Sequence, residues 1–264
     1  MASTRIVIEA VRHAGPGLGS NRLTMSRVID DPLLSIVIPV YNEERFVEAL
    51  IRRVAQQPWR MEILAVDDGS DDDTPSRLEA LSKELDQLVV YRHQRNLGKG
   101  AAVCTALEKV QGDVVIIQDA DLEYDPREYD VLLGPILDGR ADVVFGSRFL
   151  GGPHRVHNFH HYVANRMLTT MSNLLTNLNL TDMETCYKVF RREVVEELRL
   201  KSNGFGFDPE FTAQVAELGC RIYEVPISYS GRDYSEGKKI GWKDAFVSLG
   251  VILTAQRRYR KTRR

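Results

Sequence analysis

From residue 33 onward, short apolar runs alternate with stretches whose apolar residues recur at helical spacing. Residues 33–40 form a hydrophobic run broken at Pro39, after which Phe46, Leu50, Ile51 and Val54 fall on one helical face. Residues 61–66 form a second run. Ser70-Asp71-Asp72-Asp73-Thr74-Pro75 then reads as a helix N-cap with acids suited to the helix dipole, and Leu78, Leu81 and Leu85 continue that helix. Residues 88–91 predict a third strand. Asn96-Leu97-Gly98-Lys99-Gly100 opens a small-residue helix through Leu107, and Val114–Ile117 is a fourth, wholly apolar strand. Strands alternating with helices in this way predict an α/β fold with a Rossmann-like, mostly parallel, doubly wound central sheet flanked by helices.

The fourth run ends in Asp119-Ala120-Asp121-Leu122-Glu123. Residues i and i+2 of an extended segment share a face, so Asp119 and Asp121 can converge on one point outside the carboxyl end of the strand, where open α/β sheets bind ligands. Two hard oxygen donors there suit Mg²⁺ or Mn²⁺, which take the rest of their shell from water and substrate phosphate. Asp-x-Asp alone is a weak signal, since many strands end in acidic turns. Three of the four runs end in Asn, Asp or Glu, which packing alone does not explain.

After Glu123 the rhythm loosens. Residues 141–148 predict a strand ending in the cation Arg148, 162–175 a helix, 186–190 a strand and 194–198 a short helix. Residues 211–218 predict a helix capped by Gly219, 220–225 a strand, and 242–256 an amphipathic helix. No linker interrupts this stretch, so residues 32–256 are expected to form one domain. Polar, Gly-rich residues 1–31 are expected to be a disordered or loosely attached extension, with Met25 a possible natural start, and 257–264 a basic tail.

Composition changes this picture little. An apolar fraction of 43% fits a globular protein with a sizeable core, and a formal net charge of −2 gives no bulk reason to expect nucleic acid. Cys104, Cys186 and Cys220 are odd in number and in no metal-ligand spacing, as expected of buried thiols in a reducing, cytoplasmic compartment. No stretch approaches the ~20 apolar residues of a membrane span. The cationic tail, following an apolar helix face with Trp242, Phe246, Leu249, Val251, Ile252 and Leu253, predicts peripheral contact with a membrane surface, or a separate membrane-protein partner.

Two familiar nucleotide cradles are absent: no Gly-x-Gly-x-x-Gly follows the first strand, and there is no Gly-x4-Gly-Lys-Ser/Thr. Instead Pro39-Val40-Tyr41-Asn42-Glu43, Val66-Asp67-Asp68-Gly69-Ser70, Asn96-Leu97-Gly98-Lys99-Gly100 and Asp119-Ala120-Asp121 resemble the ordered motifs of family 2 glycosyltransferases with the GT-A fold. Gly146-Ser147-Arg148 and the stretch from Arg232 to Lys238 resemble its dolichyl-phosphate mannose synthase and polyprenyl-phosphate branch. The likeness covers about residues 33–250.

That resemblance implies a metal-dependent, inverting hexosyltransferase moving a sugar from a nucleotide-diphosphate donor to dolichyl or undecaprenyl phosphate. Pro39, Tyr41, Glu43, Val66 and Asp68 would hold base and ribose. Asp119, Ala120 and Asp121 would handle ribose and metal, with Glu123 a further ligand, and Arg148, Arg232 and Lys238 would meet phosphates. Asp119, Asp121 and Arg148 would carry the catalytic charge. The alternative is a hydroxyl acceptor with Asp182 or Glu184 as general base. His154, His157, His160 and His161 crowd one segment, but their spacing fits no established metal site, and a polar loop is the expectation.

Overall fold

The computed structural model describes residues 28–151, 155, 159–231 and 248–255. The expectations for residues 1–27, His154, His157, Arg232, Lys238, Trp242, Phe246 and the basic tail lie outside them. A seven-stranded sheet runs β3-β2-β1-β4-β6-β5-β7, built from β1 Leu34–Val40, β2 Met61–Asp67, β3 Leu88–Arg92, β4 Val114–Ile117, β5 Val143–Ser147, β6 Lys188–Arg191 and β7 Ile222–Pro226. Helices α1 Val47–Ala55, α2 Thr74–Glu84, α3 Lys99–Leu107, α4 Tyr129–Leu137, α5 Phe159–Thr176, α6 Arg192–Glu197 and α7 Phe207–Glu217 flank it, and 248–255 is helical.

Strands β1 to β4 are parallel, as expected, and β1 and β4 are buried almost throughout, the pattern of strands covered on both faces. The chain winds outward from β1 to β3, then returns to place β4 on the other side of β1. The loops after β1 and β4 therefore part at a topological switch point, the crevice where such sheets bind ligands. Strand β6 runs antiparallel to both β4 and β5. Its reversal brings the loop entering β6 to the same sheet edge as the loops leaving β4, β5 and β7.

Helix α4 has no counterpart in the sequence reading. Gly134 and Pro135 interrupt its pattern, yet Leu132, Leu133 and Ile136 are buried and hold it against the sheet. Tertiary packing overrides local propensity here.

The far edge is tied by buried charge. Asp142 is fully buried and accepts from the Arg221 backbone N–H at 2.8 Å and from its guanidinium at 3.1 and 2.7 Å. Buried Arg191 donates to the carbonyls of Ala141 and Ile136. Removing one partner of such a pair strands the other in low dielectric. Asp142→Ala should cost about 3 kcal/mol, the low end of the range for a broken buried pair, because Arg221 is partly exposed. Urea unfolding checks it, and an unchanged midpoint would show that the pair contributes nothing.

Candidate active site

The loops after β1 and β2 are locked together by their own polar residues. Asn42, at φ +50°, exchanges hydrogen bonds with Asp71, donating from Nδ2 at 2.6 Å and accepting from the Asp71 N–H at 3.0 Å. The Asn42 N–H donates to Ser70 Oγ and the Glu43 N–H to Thr74 Oγ1, each at 2.9 Å. Pro39 and Val66 are cross-strand partners, and half-buried Tyr41 and buried Glu43 follow directly.

Asp68 draws in the third loop. Its carboxylate accepts from the N–H groups of Leu97 at 3.0 Å and Gly98 at 2.7 Å, while His93 Nδ1 lies 2.7 Å away and His93 Nε2 2.9 Å from Thr105 Oγ1. Gly98 sits at φ +104°, and a β-carbon there would lie 2.4 Å from the Asn203 carbonyl oxygen, so only glycine fits. This turn starts α3 at Lys99, whose Nζ lies 2.7 Å from Asp119 Oδ1. Burial acts to raise the Asp119 pKa, but Lys99 outweighs it and holds the carboxyl below the ordinary range.

Beyond β4, Gln118 is anchored by the Tyr129 and Tyr187 hydroxyls. Ala120 and Asp121 are nearly buried, and Asp121 Oδ1 accepts from the Glu123 N–H at 3.0 Å. Glu123 Oε2 accepts from the Tyr229 hydroxyl at 2.5 Å, and the Glu123 carbonyl accepts from the Ser230 N–H, so the loop after β7 is stitched to the acidic loop. The Arg148 guanidinium lies over the Tyr229 ring, 5.0 Å from its centroid. Arg148 in turn forks onto Asp182, with Nε 2.6 Å from Oδ2 and Nη2 2.7 Å from Oδ1. Asp182 is fully buried and also accepts from the Arg148 N–H and from Asn165 of α5. Burial lowers the Arg148 pKa and Asp182 raises it, with a net rise that keeps the guanidinium charged.

The structure thus brings Asp119, Asp121, Glu123 and Arg148 to one sheet edge, with Pro39, Tyr41, Glu43, Val66 and Asp68 at the neighbouring switch point. Among the described residues no group of three or more His, Cys, Asp or Glu side chains is arranged to hold a metal ion. Glu123 directs one oxygen to Tyr229. Lys99, given no role from sequence although it stands within the Asn-Leu-Gly-Lys-Gly motif, belongs to the site through Asp119. Tyr229 and the Arg148–Asp182 fork were not legible either, because no local spacing links residues so far apart in the chain. His160 and His161 open α5.

Glycosyl transferase family 2 matches residues 35–199. The chain belongs to that family. It is 30% identical over 214 residues to the polyprenol monophosphomannose synthase of Mycolicibacterium smegmatis, covering 78% of this chain and 80% of the relative. It is also 30% identical to glycosyltransferase AglD of Haloferax volcanii, across 74% of this chain but 33% of that protein. To an undecaprenyl-phosphate 4-deoxy-4-formamido-L-arabinose transferase of Yersinia enterocolitica it is 30% identical, across 78% of this chain and 62% of that one. The chain therefore spans a third to four fifths of these relatives. Among solved structures it resembles glucosyl-3-phosphoglycerate synthase from Mycobacterium tuberculosis, in complex with Mn²⁺, UDP and glucosyl-3-phosphoglycerate, with a TM-score of 0.65 and 21% identity over 85% of this chain and 80% of that one. This likeness establishes the GT-A fold for the glycosyltransferase.

One acid of the site carries a pH signature. Burial, then the neighbouring Asp208, pushes the Glu184 carboxyl from 4.5 to about 8. Within that window the folded chain keeps a proton that the unfolded chain has released, so this group's contribution to stability falls as pH rises. Glu184→Gln cannot ionise and should lose less stability than wild type between pH 5 and about 8. Melting temperatures across that range test it, and parallel curves would contradict it.

Proposed function

We propose that this glycosyltransferase moves a hexose, with inversion, from a nucleotide-diphosphate sugar to the phosphate of a polyprenyl phosphate. The observation that carries the reading is the Arg148–Asp182 fork. A hydroxyl acceptor needs a base, and both oxygens of Asp182 are engaged by Arg148. Glu184, raised to about 8, holds its proton at neutral pH. A phosphate acceptor is already an anion, with a second pKa of about 6. It needs a positioned cation, and with Nε and Nη2 of Arg148 held by Asp182, the Nη1 end of the guanidinium is left to donate to it. The names of the Mycolicibacterium and Yersinia relatives support the same acceptor class.

In this reading Pro39, Tyr41, Glu43, Val66 and Asp68 receive the nucleoside, with Tyr41 offering a stacking face. Lys99 and Asp119 sit at the ribose and diphosphate. Asp119 and Asp121 fit a hard divalent cation that draws most of its shell from diphosphate oxygens, with Glu123 able to join if Tyr229 releases it. The Mn²⁺ and Mg²⁺ complexes of the structural relative with UDP support this. When bound, such a cation offsets charge on the leaving diphosphate. An acceptor phosphate oxygen forms the new bond to C1 as the bond from C1 to the diphosphate breaks, and no proton need be abstracted. Arg148 holds that phosphate in line, with Arg232 and Lys238 as further phosphate contacts.

We place the enzyme peripherally at the cytoplasmic membrane face. Among the described residues no helix is long and apolar enough to cross a membrane. The described part of the last helix buries Ile252 and Ala255 in the core, leaving Leu253 outward. Helix α5 supports surface contact better: Phe159, Tyr162, Val163, Met167 and Leu174 are all exposed on one side, with Arg166 among them. The helix contacts the site through Asn165 and Asp182.

Single-turnover transfer to undecaprenyl phosphate tests the chemistry. Asp121→Ala, or EDTA on the wild type, should abolish transfer. Arg148→Ala should damage transfer more than donor binding. Asp182→Asn should slow transfer by no more than about tenfold, against the ~10²–10⁴ lost with a true base. An inactive Asp182→Asn that binds donor normally, together with a free alcohol outcompeting the lipid phosphate on the wild type, would favour the hydroxyl acceptor.

For the membrane contact, Met167→Glu with Leu174→Glu should weaken binding to anionic vesicles about tenfold or more by charging the apolar face. Donor binding should stay within about twofold, and unchanged vesicle binding would remove α5 from the account.

A further inference from the structure

Four buried side-chain oxygens among the described residues make no hydrogen bond: Asp67 Oδ2, Glu128 Oε2, Glu184 Oε1 and Thr185 Oγ1. The first lies 3.0 Å from Arg92 Nε, and the other oxygen of Glu128 accepts from the Ser228 N–H. Glu184 and Thr185 differ from these in being consecutive and in lying within the site. Buried polar groups in folded proteins nearly always find a partner, so two adjacent orphans mark a place where a partner arrives from outside.

The nearby cations do not supply it. Lys188 Nζ donates to the carbonyls of Met183 and Thr185 and to the Asp208 carboxylate, which accounts for its three protons. Arg148 directs Nε and Nη2 at Asp182. Glu184 is left with Ser248 as its side-chain hydrogen-bond partner, and burial, then the neighbouring Asp208, raises its carboxyl to about 8 against the smaller opposing pull of Lys188 and Arg148.

Position in the loop identifies the missing partner. The segment from Asp182 to Cys186 starts at the residue holding Arg148 and ends at a thiol that donates to the Ile117 carbonyl, at the end of β4 two residues before Asp119. It therefore spans the gap between the cation assigned to the acceptor phosphate and the carboxylates assigned to the donor diphosphate. The group that must occupy that gap during transfer is the hexose. Its hydroxyls are donors and acceptors, the complement of a free carboxyl oxygen beside a free hydroxyl.

We propose that Glu184 and Thr185 hydrogen-bond hydroxyl groups of the donor's hexose and determine which hexose epimer the enzyme accepts. The inference rests on the nucleotide-sugar reading above and adds the residues that read the sugar. A site built to bond a hydroxyl rejects a sugar that lacks it or points it elsewhere, because the buried polar atoms are then left unpaired.

The experiment measures affinities of wild type, Glu184→Gln, Thr185→Val and Thr185→Ser by calorimetry, without acceptor. The probes are UDP, GDP and their glucose, galactose and mannose conjugates, all with Mg²⁺. Glu184→Gln and Thr185→Val keep the shape of the side chain, and Thr185→Ser keeps the hydroxyl. In wild type one conjugate should bind at least tenfold more tightly than its epimers. Glu184→Gln and Thr185→Val should each reduce that epimer ratio threefold or more while affinity for the bare diphosphate stays within twofold, and Thr185→Ser should retain the ratio. An unchanged epimer ratio in both variants, or a parallel loss of bare-diphosphate affinity, would overturn the inference. Because the readout is donor binding alone, failure of the polyprenyl-phosphate reading shows separately, as donor binding without transfer to the lipid phosphate.

Discussion

Carboxylates crowded at one sheet edge repel, and each must be held by a specific partner. Asp67 accepts from the Ser70 N–H, Asp68 from the N–H groups of Leu97 and Gly98, and Asp121 from that of Glu123. Asp119 and Asp182 instead take the cations Lys99 and Arg148. Charge-assisted bonds of this kind are stronger than neutral ones, and together they define the loops that form the site. The glycine turn at Gly98, the antiparallel course of β6 and the stitching of the β7 loop to Glu123 all bring a partner to an acid.

The two cation–carboxylate pairs divide the edge. Lys99–Asp119 stands beside the crevice between β1 and β4, where the loops after β1, β2 and β3 converge. Arg148–Asp182 stands across β6, next to α5 and its exposed apolar side. A donor gripped at the first pair and an acceptor phosphate gripped at the second would meet over the loop from Asp182 to Cys186. The order of strands in the sheet accounts for this division.

Much of the first half was readable because β1 to β4 are continuous apolar runs and the loops after them carry short ordered motifs. The strand ends that collect Asp68, Asp119 and Asp121 followed from that periodicity alone. Helix α4 was hidden by Gly134 and Pro135, and the reversal of β6 leaves no mark in a four-residue buried strand. For Asp182 the sequence shows a carboxylate but not its partner. Its fork to Arg148, 34 positions away, and the hold of Tyr229 on Glu123, 106 positions away, exist only in three dimensions.

The central claim is that the acceptor is a phosphate, with Arg148 in place of a base. The most direct measurement offers the enzyme, a nucleotide sugar and Mg²⁺ two acceptors of identical chain, undecaprenyl phosphate and undecaprenol, in matched vesicles. The account predicts a glycosyl phosphodiester from the phosphate and no product from the alcohol. Equal or greater transfer to the alcohol would contradict it.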